Sequence, residues 1–135
     1  MLINLFLPEQ PRLPDMQSTD ARYILAARCW CILRRAAIDP HKRISGYLGC
    51  PNATLQFNLL MEVVTQIWPQ PFAIFRPCCG GASVDEMLLV QAIGLANVQT
   101  RPQFETLLKE MLPDDALDLF FARANALKSV GYIQH

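Results

Sequence analysis

From about residue 19 onward, apolar positions recur at intervals of three and four, the spacing that lines side chains along one face of a helix. Five segments carry this pattern. The first starts near Ser18 or Thr19, places Asp20 in its first turn where the helix dipole favours negative charge, and runs from Ala21 to Ala37 until Asp39-Pro40 closes it. Ile24, Leu25, Ala27, Trp30, Ile32 and Leu33 make it apolar on nearly every side, broken only by Arg22, Arg28, Arg34 and Arg35, so it is expected to pack centrally. The second runs from about Ala53 to Trp68 with Leu55, Leu59, Val63 and Ile67 at strict four-residue spacing, Leu60 and Val64 beside them, and Pro69 and Pro71 as the stop. Ser83-Val84-Asp85-Glu86 reads as a capping box, Ser at the N-cap and Glu three residues on, opening a helix through Met87, Leu88, Leu89, Val90, Ile93 and Leu95. Thr100 to Gln103 repeats that signature with Pro102 inside it and opens a helix ending near Met111-Leu112-Pro113. Asp114 and Asp115 begin the last helix, which bears Leu117, Phe120, Phe121, Ala124 and Leu127 and is expected to close at Gly131.

Between these segments the pattern lapses. Residues 39–54, with Gly46, Gly49 and Pro51, read as a linker with room for one helical turn, and residues 72–76 read as extended, leading into the turn Pro77-Cys78-Cys79-Gly80-Gly81-Ala82. Too few alternating runs remain for a sheet, and no repeat at solenoid periods is present. The expectation is an all-α compact bundle of about five helices in one domain, residues 19–135, preceded by an extended arm, residues 1–18. Pro8, Pro11 and Pro14 keep the arm extended, while Ile3, Leu5, Phe6, Leu7 and Leu13 are too apolar to leave in water. The arm is therefore expected to lie across the helical body or across a partner subunit, where it would be swapped or clasp a dimer.

Composition narrows the class. At 135 residues and 52% hydrophobic, the chain has enough apolar material to bury a core, which excludes disorder for most of its length. A formal net charge of zero excludes a polyanion binder driven by bulk electrostatics. Residues 1–50 hold three more basic than acidic side chains and residues 51–135 three more acidic than basic, a polarity that suits contact between the halves or head-to-tail association. The N-terminal apolar run lacks the positive flank and length of a signal peptide, and no window is apolar enough to span a membrane. Five cysteines, an odd number without the spacing of a disulfide framework, fit a reduced cytoplasm.

Candidate chemistry concentrates at Arg76 and Cys78-Cys79-Gly80-Gly81, just before the Ser83 helix. A thiol near a helix N-terminus meets unpaired N–H groups and the positive end of the dipole, which favour the thiolate, and two glycines let N–H groups converge as an anion nest. Cys50 and His41 are the further soft ligands that a zinc site with Cys78 and Cys79 would need, although paired cysteine knuckles are lacking. A catalytic thiol would take His41, Glu62 or Glu86 as its base. No phosphate-binding loop, dinucleotide fingerprint, zinc-protease helix or nucleophile elbow is present, so no cofactor is expected. Arg28, Arg34, Arg35, Lys42 and Arg43 form the alternative of a weak nucleic-acid surface, narrow because Arg34 is offset from Arg28 and Arg35 around the helix. The apolar arm, together with Trp68 and Phe72, which are expected at the surface, favours a non-enzymatic protein-association or regulatory role as a homodimer.

The Cys-Cys turn, preceded by a short apolar stretch and followed by an acid-capped helix rich in Met and Leu, resembles a small family of bacterial helical proteins of unknown function. The resemblance covers most of residues 12–130, most recognisably the linker and Arg76 to Leu89. It implies a bacterial cytoplasmic protein and supplies no catalytic residue.

Overall fold

The computed structural model describes residues 11–133, with side chains up to Val130. Six helices, α1 (Ser18–Arg35), α2 (His41–Leu48), α3 (Pro51–Ile67), α4 (Val84–Gly94), α5 (Arg101–Leu108) and α6 (Asp114–Ile133), form an all-α bundle. Short 3-10 turns precede α1 at Leu13–Asp15 and α5 at Val98–Thr100. The apolar residues of the arm before Pro11 lie outside the described residues.

The first helix ends two residues earlier than its composition suggests. Ala37 adopts a left-handed φ of 59°, its N–H donates to Arg34 C=O (3.0 Å), and the Ile38 N–H donates to Leu33 C=O (2.8 Å). These are the two bonds of a Schellman closure, built here on alanine where glycine is usual. Asp39-Pro40 does not terminate α1 but starts α2: the Asp39 carboxylate accepts from the His41 N–H (3.0 Å). The expected linker thus contains two helical turns, anchored by buried Ile44 and closed at Gly49 with φ 81°.

Cys50 caps α3, its sulfur accepting from the Ala53 N–H at 3.4 Å. The face α3 buries is not the strict four-residue stripe. Ala53, Thr54, Phe57, Leu60, Met61 and Val64 point inward, whereas Leu55 and Leu59 are exposed. Steps of four advance about 40° around a helix of 3.6 residues per turn, so a run made only of fours spirals off the buried face, which mixes threes and fours.

α3 packs most extensively against α6, and aromatic rings fill that seam. Trp68 meets Phe72 and Phe120 edge to face, and Phe104 does the same with Phe120 and Phe121, at centroid separations of 5.1–6.1 Å. Trp68 and Phe72, expected at the surface, are only 7% and 4% exposed. Prolines 69 and 71 end α3 and turn the chain so that Phe72 packs against Trp68.

Both ends of α4 are fastened. The Ser83 box forms as read from sequence, with Glu86 N–H donating to Ser83 Oγ (3.0 Å) and Ser83 N–H to Glu86 Oε1 (2.9 Å). At the other end, Lys128 Nζ donates to Gly94 C=O, Thr100 Oγ1 to Leu95 C=O (2.7 Å) and Asn125 Nδ2 to Ala96 C=O (2.8 Å). The second expected box, at Thr100, does not form. Asn97 accepts from the Thr100 N–H instead, because the Thr100 hydroxyl is committed to α4. The last helix continues through Gly131 to Ile133 rather than closing at the glycine.

Ala37→Gly is expected to raise stability by about 0.5–1 kcal/mol, since glycine relieves the left-handed strain at modest entropic cost. Urea denaturation of the two proteins checks this through a higher midpoint with an unchanged slope.

Candidate functional site

The extended residues 72–76 and the turn that follows fold around a side chain from α1. Arg28, midway along α1, is fully buried, and so is Glu86 of α4. Arg28 Nε and Nη2 donate to Glu86 Oε2 (2.8 Å) and Oε1 (2.9 Å), the two-pronged geometry that best joins guanidinium to carboxylate. The remaining donors serve the turn: Nη1 reaches the carbonyls of Arg76 (3.1 Å) and Cys79 (2.8 Å), and Nη2 reaches Gly81 C=O (2.6 Å). All five N–H groups of the guanidinium are satisfied. The carboxylate is equally occupied, Oε1 by Ser83 N–H and Oε2 by Phe75 N–H (3.1 Å).

The extended segment is held by the same helix end. Ala73 N–H donates to Asp85 Oδ2 (2.8 Å), and Ser83 Oγ donates to Ala73 C=O (2.7 Å). Ser83 therefore accepts from the helix and donates to the extended segment with one hydroxyl. Beyond their place in the first turn of α4, Asp85 and Glu86 anchor the chain that approaches the turn.

This geometry changes the expected chemistry of Cys78-Cys79-Gly80-Gly81. The anion nest is not what the turn presents to the interior: it aims three carbonyl oxygens inward, a cradle for a cation, and Arg28 fills it. Cys79 N–H donates back to Arg76 C=O (2.9 Å), closing a turn over Pro77 and Cys78. Cys78 is exposed and Cys79 half-buried. Gly80 lies under the Arg12 side chain, where a Cβ would meet Nη2 at 2.6 Å.

The other proposed ligands lie elsewhere in the fold. Cys50 caps α3, and His41 is exposed at the start of α2. Among the described residues, no group of three or more His, Cys, Asp or Glu side chains is placed to hold a metal ion. No helix among them is long and apolar enough to cross a membrane.

The basic residues of the proposed nucleic-acid surface do not all reach the surface as free charges. Arg28 is inside the protein, and Arg34 pairs with Glu62 while its guanidinium lies 5.0 Å from the centroid of Trp30. Arg35, Lys42 and Arg43 remain exposed. Arg28 is the residue that sequence reasoning misplaced. Nothing local set it apart from the other arginines of the helix, because its partner lies 58 residues downstream.

Among the remaining thiols, burial raises Cys31 to about 11, helped by the nearby Glu86 charge and opposed by Arg35. Burial also raises Cys29, with Arg43 pulling the other way. Neither is poised as a nucleophile.

Removing one partner of the buried pair, by Arg28→Ala or Glu86→Ala, is expected to cost about 3–5 kcal/mol, because it strands a charge and several backbone groups. The double variant Arg28→Met with Glu86→Leu should cost less than the sum of the singles, measured by urea denaturation as a double-mutant cycle. For Cys31, the unfolded thiol ionises near 9.0 while the folded one holds its proton to about 11. Stability is then expected to fall as pH rises across that interval, where the native state binds more protons, and Cys31→Ala should flatten the slope in denaturation runs at stepped pH. No family model, curated protein or solved structure matches the chain.

Proposed function

We propose that this chain is a non-enzymatic association domain that pairs with a second copy of itself, in the cytoplasm of a bacterium as the resemblance of its Cys-Cys turn implies. The observation that carries this reading is the strap formed by residues 11–13. Its backbone is bonded to the 80–82 turn, and the sequence leading into it, Leu2, Ile3, Leu5, Phe6 and Leu7, is strongly apolar. The most developed polar constellation, Arg28 with Glu86, supports the same reading because its hydrogen-bonding capacity is used within the fold. Large apolar side chains, among them Ile38, Leu55, Val84, Val98 and Leu119, stay exposed. A closed two-fold dimer is the commonest way a soluble chain covers such groups.

A second reading, a thiol or metal site at Cys78 and Cys79, draws on the exposure of the Cys78 thiol. The weak nucleic-acid reading keeps Arg35, Lys42 and Arg43 at the surface with Arg34, which is paired with Glu62, and has lost Arg28 to the interior.

Native mass spectrometry of the reduced full chain tests these together. The expected result is a species of twice the 15.2 kDa chain mass without bound metal. A monomer overturns the pairing, and a stoichiometric zinc adduct abolished by Cys78→Ser or Cys79→Ser replaces it with the metal reading.

A further inference from the structure

Neighbouring cysteines do not pair with each other easily. Across a trans peptide their Cα atoms stand about 3.8 Å apart, closer than the roughly 4.4–6.8 Å of ordinary disulfides, so a bond between the two sulfurs has to twist the peptide that joins them. Between Cys78 and Cys79 that peptide is held in place. Its N–H closes the turn onto Arg76 C=O (2.9 Å), and the carbonyl that follows, that of Cys79, accepts from Arg28 Nη1 (2.8 Å). Twisting the peptide would draw acceptors away from a fully buried guanidinium, which has no water to replace them. Cys78, exposed, and Cys79, half-buried, are thereby kept as two separate thiols on one fixed turn.

An ion placed between the sulfurs lifts the constraint, because it bridges them without bringing them into bonding contact. Thiolates suit soft ions. Zinc completes a tetrahedron, and the further ligands it would need, Cys50 and His41, lie elsewhere in the fold. Monovalent copper is satisfied by two thiolates and needs no third protein ligand. Charge points the same way, since two thiolates on a monovalent ion leave a net negative charge and the surroundings of this turn are basic. The Arg12 guanidinium lies over Gly80, and Arg76, at the start of the turn, is exposed. The Cys79 carbonyl faces inward, so the Gly80 N–H, on the opposite edge of the same trans peptide, faces outward, where it finds no acceptor among the described residues. Backbone amides of this kind are common donors to the sulfurs of metal–thiolate sites. The nearest carboxylates do not offset the positive charge: Glu86 is buried on Arg28, and Asp85 Oδ2 accepts from the Ala73 N–H.

Resting on the thiol reading of this turn and not on the pairing, we propose that Cys78 and Cys79 together bind a monovalent copper ion as a two-coordinate bis-thiolate, whose negative charge is stabilised by Arg12, Arg76 and the Gly80 N–H. The Arg28 hub serves the site from beneath: by fixing the backbone of the turn it holds the thiols apart from each other and open to the ion.

The test titrates the reduced full chain, under nitrogen with ascorbate, against the coloured copper(I) complex of bicinchoninate. The expected result is a single copper withdrawn per chain, with a copper K-edge spectrum showing the strong pre-edge feature of two-coordinate copper and only sulfur neighbours. Cys78→Ser and Cys79→Ser should each weaken binding by at least about a hundredfold, and Arg12→Gln by about tenfold, the effect of losing an outer partner of a metal site. Cys50→Ser, which keeps a capping atom at the start of α3, should leave it unchanged. Both serine variants at the turn keep the Cys79 carbonyl that Arg28 uses, and urea midpoints equal to the parent's establish that the fold is intact. Failure to withdraw copper, equal binding by the serine variants, or more than two sulfur neighbours overturns the proposal. Zinc taken up stoichiometrically by these two thiols where copper is not overturns the choice of ion and leaves the thiol reading standing. Copper per chain is counted alike on a monomer or a dimer, so the outcome is separate from that of the pairing.

Discussion

A guanidinium placed inside a helical bundle must find five acceptors or expel itself, and that requirement shapes the part of the molecule that is not simple helix packing. Arg28 meets it by gathering a carboxylate from α4 and three carbonyls from the turn before it. The turn has to fold inward to bring those oxygens together. Once it does, the outer edge of residues 80–82 is left facing solvent with a free donor and acceptor, and the strap takes them. The extended run from Phe72 is tied to the same helix end through Asp85, Ser83 and Glu86. Two layers of organisation thus coexist: an aromatic seam between α3, α5 and α6, and a polar hub that joins α1 to α4.

The polar hub is specific in a way the aromatic seam is not. Apolar packing tolerates exchange among side chains of similar volume, whereas a planar fork with five donors does not accept lysine, which has three donors around a point. Such a buried pair contributes little net stability against an apolar replacement, because desolvating both charges offsets their attraction. Its effect is to exclude other arrangements of the 76–81 turn, since any other course leaves carbonyls or the guanidinium unpartnered in the interior. The adjacent cysteines sit in this turn as parts of its backbone first: the carbonyl of Cys79, rather than its sulfur, is the atom the fold uses.

What the sequence disclosed follows from how far apart the interacting residues lie. The Ser83–Glu86 box spans three residues and was legible as written. The all-helical class was legible because periodicity is local and repeated over most of the chain. α2 was obscured by Gly46 and by Asp39-Pro40, a pair that ends one helix or begins the next with equal ease; its buried anchor, Ile44, is a single residue. Leu55 and Leu59 show a regular spacing misleading by its regularity. Trp68 and Phe72 looked exposed because prolines surround them, yet those prolines bend the chain back onto the core. Arg28 was illegible as an interior residue, since no local pattern connects it to Glu86 or to the carbonyls of the turn.

That separation in sequence also sets an order of assembly. The contacts Arg28 makes lie 48 to 58 residues further along the chain, whereas its own helix and α2 need only neighbouring segments to form. Closing a loop of that length is entropically costly and gives nothing back until both ends are ordered, so the guanidinium stays hydrated while the local helices form. During synthesis from the N-terminus, α1 leaves the ribosome well before Glu86 has been made. The apolar sides of α1 and α2 can come together before that docking, but the charged side of α1 must wait in water, which makes the docking of α4 the step that removes this charge from solvent and commits the chain to its native topology.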